Sequence, residues 1–275
     1  MNHPPRVLSI AGSDSGGGAG IQADLKTFEA LGCFGMTAIT AITAQNTCGV
    51  RAIHALPPSI LAEQIDAVVE DIGVDAVKIG MLHDPAVVRV VAQAIQRHRL
   101  HRVVLDPVMV ATSGDRLIAN DTQAVLVKEL FPRASVITPN LDEAGWLIGK
   151  PIGSALELEA AARQLQAMGA RAVLLKGGHL AGPVLTDLLI KGDAVTRWEG
   201  ARIESTNTHG TGCTLSSAIA CGLARGLLLR DAVAMARDYV RGALQGSAGW
   251  RLGQGHGPLH HAHRTHAEGF SAGGG

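Results

Sequence analysis

The chain has no excess of charge of either sign. Lysine and arginine together number 24, and aspartate and glutamate together also number 24. This balance offers neither a basic surface for nucleic acid nor a polybasic stretch for a membrane surface. We therefore expect a small ligand, neutral or locally anionic, and no nucleic-acid or membrane partner.

Cysteine is scarce, and long apolar runs are missing. The four cysteines form neither a C-x-x-C pair nor a zinc-ligand spacing, which is typical of chains from a reducing compartment. Residues 1–5 lack the charged and apolar regions of a signal peptide, and no uninterrupted apolar run approaches the length that spans a bilayer. The sequence therefore predicts a cytoplasmic protein.

Short apolar runs alternate along the chain with longer segments of helical period. One such segment, residues 59–72, places Leu61, Ile65, Val68 and Ile72 on one helix face. The apolar runs that we interpret as strands lie near residues 6–11, 36–44, 75–80, 102–106, 134–138, 171–176 and 184–190. Alternating strands and helices predict an α/β fold with a mostly parallel central sheet and helices on both faces.

The length and composition suit a single domain. With 275 residues and 47% hydrophobic content, the chain can bury a complete core. We expect one domain over residues 1–265. The glycine-rich residues 266–275 are expected to be disordered.

The segment T-H-G-T-G-C-T-L-S-S, which begins at Thr208, sets a small-residue turn directly before an apolar helix. The first N–H groups of a helix lack intrahelical partners, and Gly210, Thr211 and Gly212 would let the chain wrap closely around a phosphate. Cys213 would then lie beside a bound anion as a candidate proton acceptor. A glycine-rich helix cap with a buried cysteine would have the same sequence.

Two further candidates lie at strand ends, where ligands bind in open parallel sheets. Gln45 offers one acceptor and two donors that could read the edge of a nitrogen heterocycle, or it could simply bond a loop. Met81 could lie against a flat ring, although the pattern taken alone favours a core methionine.

Charged residues follow three more of the predicted strands. Asp106, Asn140 and Glu143 would bring hard oxygen ligands together from neighbouring strands, which suits Mg²⁺ held partly through water. Each acid could instead cap a helix. Lys176 leaves an apolar strand where a phosphate is a plausible partner, and a solvent-directed lysine is the alternative.

Together these groups match the requirements of phosphoryl transfer: a cation, a metal held by carboxylates, an anion hole and a base. The chain has neither a Walker A motif nor the protein-kinase motifs. Over residues 6–265 it resembles the ribokinase superfamily and, within it, the hydroxymethylpyrimidine/phosphomethylpyrimidine kinases of thiamine biosynthesis. The segments that carry the resemblance are A11-G-S-D-S-G-G-G-A-G-I-Q-A-D24, T43-A-Q-N-T, L105-D-P-V-M, T138-P-N-L-D-E-A, L175-K-G-G-H and H209-G-T-G-C-T-L-S-S-A-I-A.

The resemblance implies a three-layer ribokinase-like fold. It implies ATP-dependent phosphorylation of 4-amino-5-hydroxymethyl-2-methylpyrimidine and then of its monophosphate to the diphosphate. Family habit suggests a homodimer. The implied substrate-binding residues are Gln45, Asp24, Ala19 and Met81; the implied metal ligands are Asp106, Asn140 and Glu143; and the implied nucleotide and catalytic residues are Lys176, Asp106, Thr211, Gly210, Gly212 and Cys213, with the loop after Asp187 reaching toward the nucleotide.

Two alternatives remain open. Pyridoxal also presents a hydroxymethyl group on a flat nitrogen heterocycle, so a pyridoxal kinase is the nearest rival. A non-catalytic ligand sensor should have lost part of the phosphate apparatus, which this chain retains. For Cys213 we expect a pKa that falls toward neutrality beside the helix N-terminus.

Overall fold

The structure, a computed structural model, describes residues 3–109, 121–178 and 182–264. These residues form nine β-strands, eight α-helices and a short 3-10 helix at Ala155–Glu157. The strands are β1 (Arg6–Asp14), β2 (Phe34–Asn46), β3 (Gly49–Ala55), β4 (Ala76–Ile79), β5 (Val103–Leu105), β6 (Val136–Ile137), β7 (Ala172–Leu175), β8 (Val184–Lys191) and β9 (Ala194–Ala201). The helices are α1 (Gly20–Ala30), α2 (Pro58–Asp71), α3 (Pro85–Arg97), α4 (Thr122–Leu130), α5 (Leu141–Ile148), α6 (Leu158–Ala167), α7 (Thr211–Ala224) and α8 (Leu229–Ser247).

The strands of the described residues join one sheet in the order β3-β2-β1-β4-β5-β6-β7-β8-β9. Strands β2, β1, β4, β5, β6 and β7 run parallel, whereas β3 pairs antiparallel with β2, and β8 pairs antiparallel with both β7 and β9. Each of the seven predicted strands is confirmed. The sequence pattern missed β3 and β9, because these edge strands are largely exposed and carry few apolar residues in succession.

Helices cover both faces of the sheet, as predicted, because successive strand residues point to opposite sides. In β5, Val103 and Leu105 pack in the layer that contains α2, α3, α4, α5 and α6, whereas Val104 packs with α1, α7 and α8. Helix α2 spans Pro58–Asp71 and buries Leu61 and Ile65, close to the predicted segment. Ile72 is its C-cap and is exposed.

Helix α7, the apolar helix predicted after the small-residue turn, is buried on nearly all sides. Residues 214–224 are all buried. The helix is packed between the sheet and its neighbours α1 and α8, and a Cβ at Gly222 would lie 2.7 Å from the Cβ of Ala232 on α8. Close packing of this kind fixes the position of the helix N-terminus relative to the strands.

The residues after α8 pack against the loop that precedes α7. His256 donates its N–H to the carbonyl of Thr47, and the N–H of His209 donates to the carbonyl of Gly257 at 3.1 Å. Residues 253–264 thus support the loop before α7, while residues 266–275, expected to be disordered, lie outside the described part of the chain. In that described part, the helices are all too short or too polar to cross a membrane.

Candidate active site

A cleft of about 1510 Å³ opens beyond the carboxyl ends of the parallel strands. From this edge, the connection after β1 leads to β2 on one side, and the connection after β4 leads to β5 on the other side. Open α/β sheets bind ligands at the point where the strand order reverses in this way. The cleft exceeds the volume of about 300–1,000 Å³ that one small ligand usually occupies, so it has room for two. The predicted residues that line it are Ala19, Gln45, Met81, Asp106, Asn140, Glu143, Lys176, Asp187, Gly210, Thr211, Gly212 and Cys213.

The turn before α7 has the geometry of an anion site. Gly210 has φ +83°, and a Cβ there would collide with the carbonyl oxygen of Gly18. A Cβ at Gly212 would lie 3.2 Å from the ammonium nitrogen of Lys176. Glycine is therefore required at the first position and gives close access at the second, so that a ligand can approach the N-terminal N–H groups of α7. The hydroxyl of Thr211 donates a hydrogen bond to the carbonyl oxygen of Thr208 at 2.7 Å.

Asp14 and His209, which the sequence analysis missed, hold the two glycine-rich segments together. The carboxylate of Asp14 accepts the N–H groups of Gly16, Gly18 and Ala19, and it lies 2.8 Å from Nε2 of His209. Burial alone would raise the pKa of Asp14, but the hydrogen bonds from His209 and the backbone lower that pKa below its usual value. An aspartate followed by small residues is a signal for such a turn, whereas its pairing with His209 spans 195 positions and has no local signal.

Gln45 and Met81 lie at the end of the cleft formed by β1, β2 and β4. Oε1 of Gln45 accepts from the hydroxyl of Thr43 at 3.1 Å, and its Nε2 lies 3.5 Å from Nε2 of His209. Met81 is 7% exposed and packs against Ala41, so it is a core residue that also lines the cleft. The core interpretation of Met81 is therefore confirmed, and its contact with a substrate ring stays a prediction.

The structure contradicts the prediction that Asp24 lines the pocket. Asp24 is not among the described residues that line the cleft, because its side chain is fully buried behind the cleft floor. Its carboxylate oxygens lie 2.8 and 2.9 Å from Nζ of Lys78, which is itself 0% exposed. Lys78 does reach the cleft lining, and the sequence analysis overlooked it inside the apolar strand V77-K-I-G.

Lys176 and Asp106 form an ion pair at the centre of the cleft. Nζ of Lys176 lies 3.0 Å from Oδ1 of Asp106, which also accepts from the hydroxyl of Thr138 at 2.9 Å. The hydroxyl of Ser216 on α7 lies 3.4 Å from the other carboxylate oxygen. The pair thus connects the ends of β5 and β7, is bonded to β6 and α7 through these hydroxyls, and places the ammonium of Lys176 beside the Gly212 turn.

Asn140 and Glu143 cap α5 and at the same time face the cleft. The side chain of Asn140 accepts the N–H of Glu143 at 2.9 Å, and the carboxylate of Glu143 accepts the N–H of Asn140 at 2.8 Å. Burial raises the pKa of Glu143 to about 7; the charge of Lys176 opposes this rise, and Asp106 adds to it. A group of buried oxygen donors with this excess of negative charge fits a hard cation such as Mg²⁺.

Asp187 lines the cleft, but the expectation of a loop after it is wrong. The residue lies within β8, which continues to Lys191. Its carboxylate accepts the N–H of Gly177 at 3.0 Å and pairs with Arg237 of α8 at 2.8 Å. It therefore fixes the backbone next to Lys176 rather than opening a mobile segment.

The pKa expected for Cys213 is also contradicted. Burial raises the pKa of this thiol to about 11, and the positive charge of Lys78 and a hydrogen bond from the N–H of Gly20 offset only part of that rise. Asp24 and Asp106 add to it. Desolvation thus outweighs the helix N-terminus on which the prediction rested.

The family model described as phosphomethylpyrimidine kinase matches residues 14–260. A hydroxymethylpyrimidine/phosphomethylpyrimidine kinase of Rhizobium meliloti is 52% identical over 259 residues, which cover 94% of this chain and 97% of the relative.

Two solved structures are similar over most of their length. Phosphomethylpyrimidine kinase of Clostridium difficile matches with a TM-score of 0.76 and 41% identity over 86% of this chain and 97% of its own. An ADP complex of Bacillus subtilis pyridoxal kinase matches with a TM-score of 0.87 and 35% identity over 94% of this chain and 98% of its own. Fold and site thus define a ribokinase-like small-molecule kinase. More narrowly, the chain belongs to the phosphomethylpyrimidine kinase family.

Proposed function

We propose that the protein uses ATP to phosphorylate 4-amino-5-hydroxymethyl-2-methylpyrimidine and then converts the monophosphate to the diphosphate, a step of thiamine biosynthesis. The observation that supports this most is the arrangement of one cleft. Its lining combines an amide suited to a heterocycle at Gln45, an ammonium at Lys176 and an anion turn at Gly210–Cys213. Relatives named for this pair of reactions cover nearly the whole chain.

Ring recognition is assigned to the β1, β2 and β4 end of the cleft. The side-chain Oε1 of Gln45 lies 3.1 Å from the hydroxyl of Thr43, and its NH₂ group lies on the side of His209 and the cleft. Met81 supplies an apolar surface for one face of the ring, and Ala19 forms the wall of the adjacent turn. Since Asp24 lies behind the cleft floor, it is not assigned to direct substrate contact.

Phosphate handling is assigned to the central and α7 side of the cleft. Lys176 and the backbone at Gly210, Thr211 and Gly212 bind phosphate oxygens. Asp187 holds the N–H of Gly177 and the guanidinium of Arg237 in place at the nucleotide end. Phosphate binding by Lys176 and by the turn before α7 thus depends on donors that are fixed before the ligand arrives.

The residues assigned to Mg²⁺ are Asp106, Asn140 and Glu143, which would bind it directly or through water. The raised pKa of Glu143 supports the assignment, because a bound cation would compensate both the burial of this carboxylate and its repulsion from Asp106. When bound, Mg²⁺ neutralises charge on the phosphate oxygens.

Cys213 is assigned as the acceptor of the hydroxymethyl proton. It lies in the first turn of α7, where the same N–H groups that bind phosphate also face the reacting hydroxyl. In the ligand-free cleft its pKa of about 11 leaves the thiol protonated at neutral pH. The first phosphorylation should therefore depend on the small fraction of thiolate.

Pyridoxal is retained as a second substrate candidate, because pyridoxal kinases share this fold at a TM-score of 0.87. The test is an ATP-consumption assay with hydroxymethylpyrimidine, its monophosphate and pyridoxal side by side. We expect the highest kcat/KM with the pyrimidines. Consumption with pyridoxal alone would assign the protein to the rival activity, and no consumption with any of the three would favour a non-catalytic sensor.

We further propose that residues 1–265 act as one kinase domain, in a homodimer and in the cytoplasm. All four cysteines, each within the described part of the chain, are free thiols, which is consistent with a reducing compartment. Light scattering of the purified protein would test the dimer directly.

A further inference from the structure

Lys78 at the floor of the cleft and Asp24 behind it form a buried ion pair that has no part in the phosphate apparatus described above. Lys78 of β4 and Asp24 of α1 are both 0% exposed and are joined by two contacts of 2.8 and 2.9 Å. Two hydroxyls complete the carboxylate shell: Ser9 of β1 donates to Oδ2 at 2.5 Å, and Ser217 of α7 donates to Oδ1 at 2.7 Å.

Packing alone does not call for this pair. Lys78 stands between Val77 and Ile79 in a strand whose other residues are apolar and buried. A buried ion pair is seldom more stabilising than well-packed apolar side chains of similar volume, because desolvation of two charges offsets their attraction. The presence of two charges at this point of the core therefore calls for a role other than stability.

The pair is adjacent to Cys213. Ser217, which binds Asp24, lies four residues after Cys213, so the two occupy neighbouring positions on one face of α7. Lys78 and Cys213 both line the same cleft. A Cβ at Gly80 would lie 2.9 Å from Nζ of Lys78, so glycine at this position leaves room for the ammonium.

From this arrangement we propose that the Lys78–Asp24 pair sets the charge state of Cys213, with Lys78 acting as a positioning residue that favours the thiolate and Asp24 limiting its effect. The proposal rests on the proposed function only in one respect, namely that the thiolate accepts the hydroxymethyl proton.

Other charged groups also face the thiol. They are Asp106 after β5 and Lys176 after β7, in addition to Lys78 and Asp24. Asp106 and Lys176 are paired with each other at 3.0 Å, so a change at the buried pair leaves this second pair intact. Lys78 is the positive charge that lowers the pKa of Cys213 most, whereas Asp24 raises it.

The two members of the pair can therefore be separated by the sign of their effects. Lys78→Met leaves the Asp24 carboxylate and should raise the pKa of Cys213. Asp24→Asn leaves the Lys78 ammonium and should lower it. Both variants break the same ion pair, so loss of packing or stability alone would act in the same direction in each.

The experiment measures the pH dependence of iodoacetamide alkylation at Cys213 in the ligand-free enzyme, with the site identified by peptide mass spectrometry. A Cys48→Ser background removes the exposed thiol, while Cys33 and Cys221 are buried. We expect shifts of about one pH unit or more, in opposite directions, for Lys78→Met and Asp24→Asn. Lys26→Met is the matched control, because it removes an exposed lysine of α1 and should leave the profile unchanged.

The double variant Lys78→Met/Asp24→Asn should give a profile between those of the single variants. If Lys78→Met does not fold, the comparison of Asp24→Asn with the double variant still isolates the lysine, whose loss should raise the midpoint. Shifts in the same direction, or no shift, overturn the proposal. Opposite alkylation shifts with an unchanged pH profile of the first phosphorylation would uphold the action of the pair and refute Cys213 as the base.

Discussion

The raised pKa of Cys213 predicts that the two phosphorylations depend differently on pH. With a pKa of about 11, roughly one thiol in 10⁴ is ionised at pH 7 in the ligand-free cleft. If the thiolate accepts the alcohol proton, kcat/KM for hydroxymethylpyrimidine should rise about tenfold for each pH unit from 6.5 to 9.5. The second phosphorylation should be nearly flat, since a phosphate monoester with a second pKa of about 6 is already ionised.

Replacing the thiol separates the same two reactions. Cys213→Ala should slow phosphorylation of hydroxymethylpyrimidine by a factor on the order of 10²–10⁴, the usual worth of a positioned base. Phosphorylation of the monophosphate should fall much less, because the backbone N–H groups of α7 remain. Single-turnover rates in a quenched-flow instrument would report both. Equal losses, or a first reaction without pH dependence in the unchanged protein, would refute the role of Cys213 in proton transfer.

Three further changes test the rest of the cleft. Gln45→Leu should raise KM for the pyrimidine roughly 10- to 100-fold with little change in KM for ATP, because the ring edge loses its amide partner; steady-state kinetics with equal effects on both would contradict this. Lys176→Met should lower kcat on the order of 10²-fold at saturating Mg-ATP, since a fixed cation is lost beside the phosphates, and near-normal kcat would remove Lys176 from the assignment. Gly210→Ala should lower both Tm and turnover, because φ +83° costs alanine about 1 kcal/mol or more and its Cβ meets the carbonyl of Gly18; an unchanged Tm would show that the turn is less constrained than the structure indicates.

The sequence was most informative about the parallel part of the sheet. Strands such as β4 and β5 are buried on both faces, so their apolar runs stand out without any alternation. Because parallel strands end at one edge, the groups that follow them, such as Asp106 and Glu143, were expected to lie at one site, and both line the cleft. The search for apolar runs missed β3 and β9, because exposed residues interrupt the apolar pattern in both strands.

The site was harder to predict where its geometry depends on packing. Asp24 resembled a pocket residue from its motif, yet its partner Lys78 lies 54 positions away and draws it behind the cleft floor. The pKa of Cys213 was predicted from the adjacent helix N-terminus alone. In the folded protein, desolvation of the buried thiol outweighs the charge of Lys78 and decides the sign. No local pattern records that burial.

Phosphorus-31 NMR of a single reaction tests the central claim most directly. The purified protein, with Mg²⁺, excess ATP and hydroxymethylpyrimidine, should first form the pyrimidine monophosphate and then convert it to the diphosphate as ADP accumulates. A reaction that stops at the monophosphate, or one in which the pyrimidine takes up no phosphate, would contradict the account of this cleft as the site of both transfers.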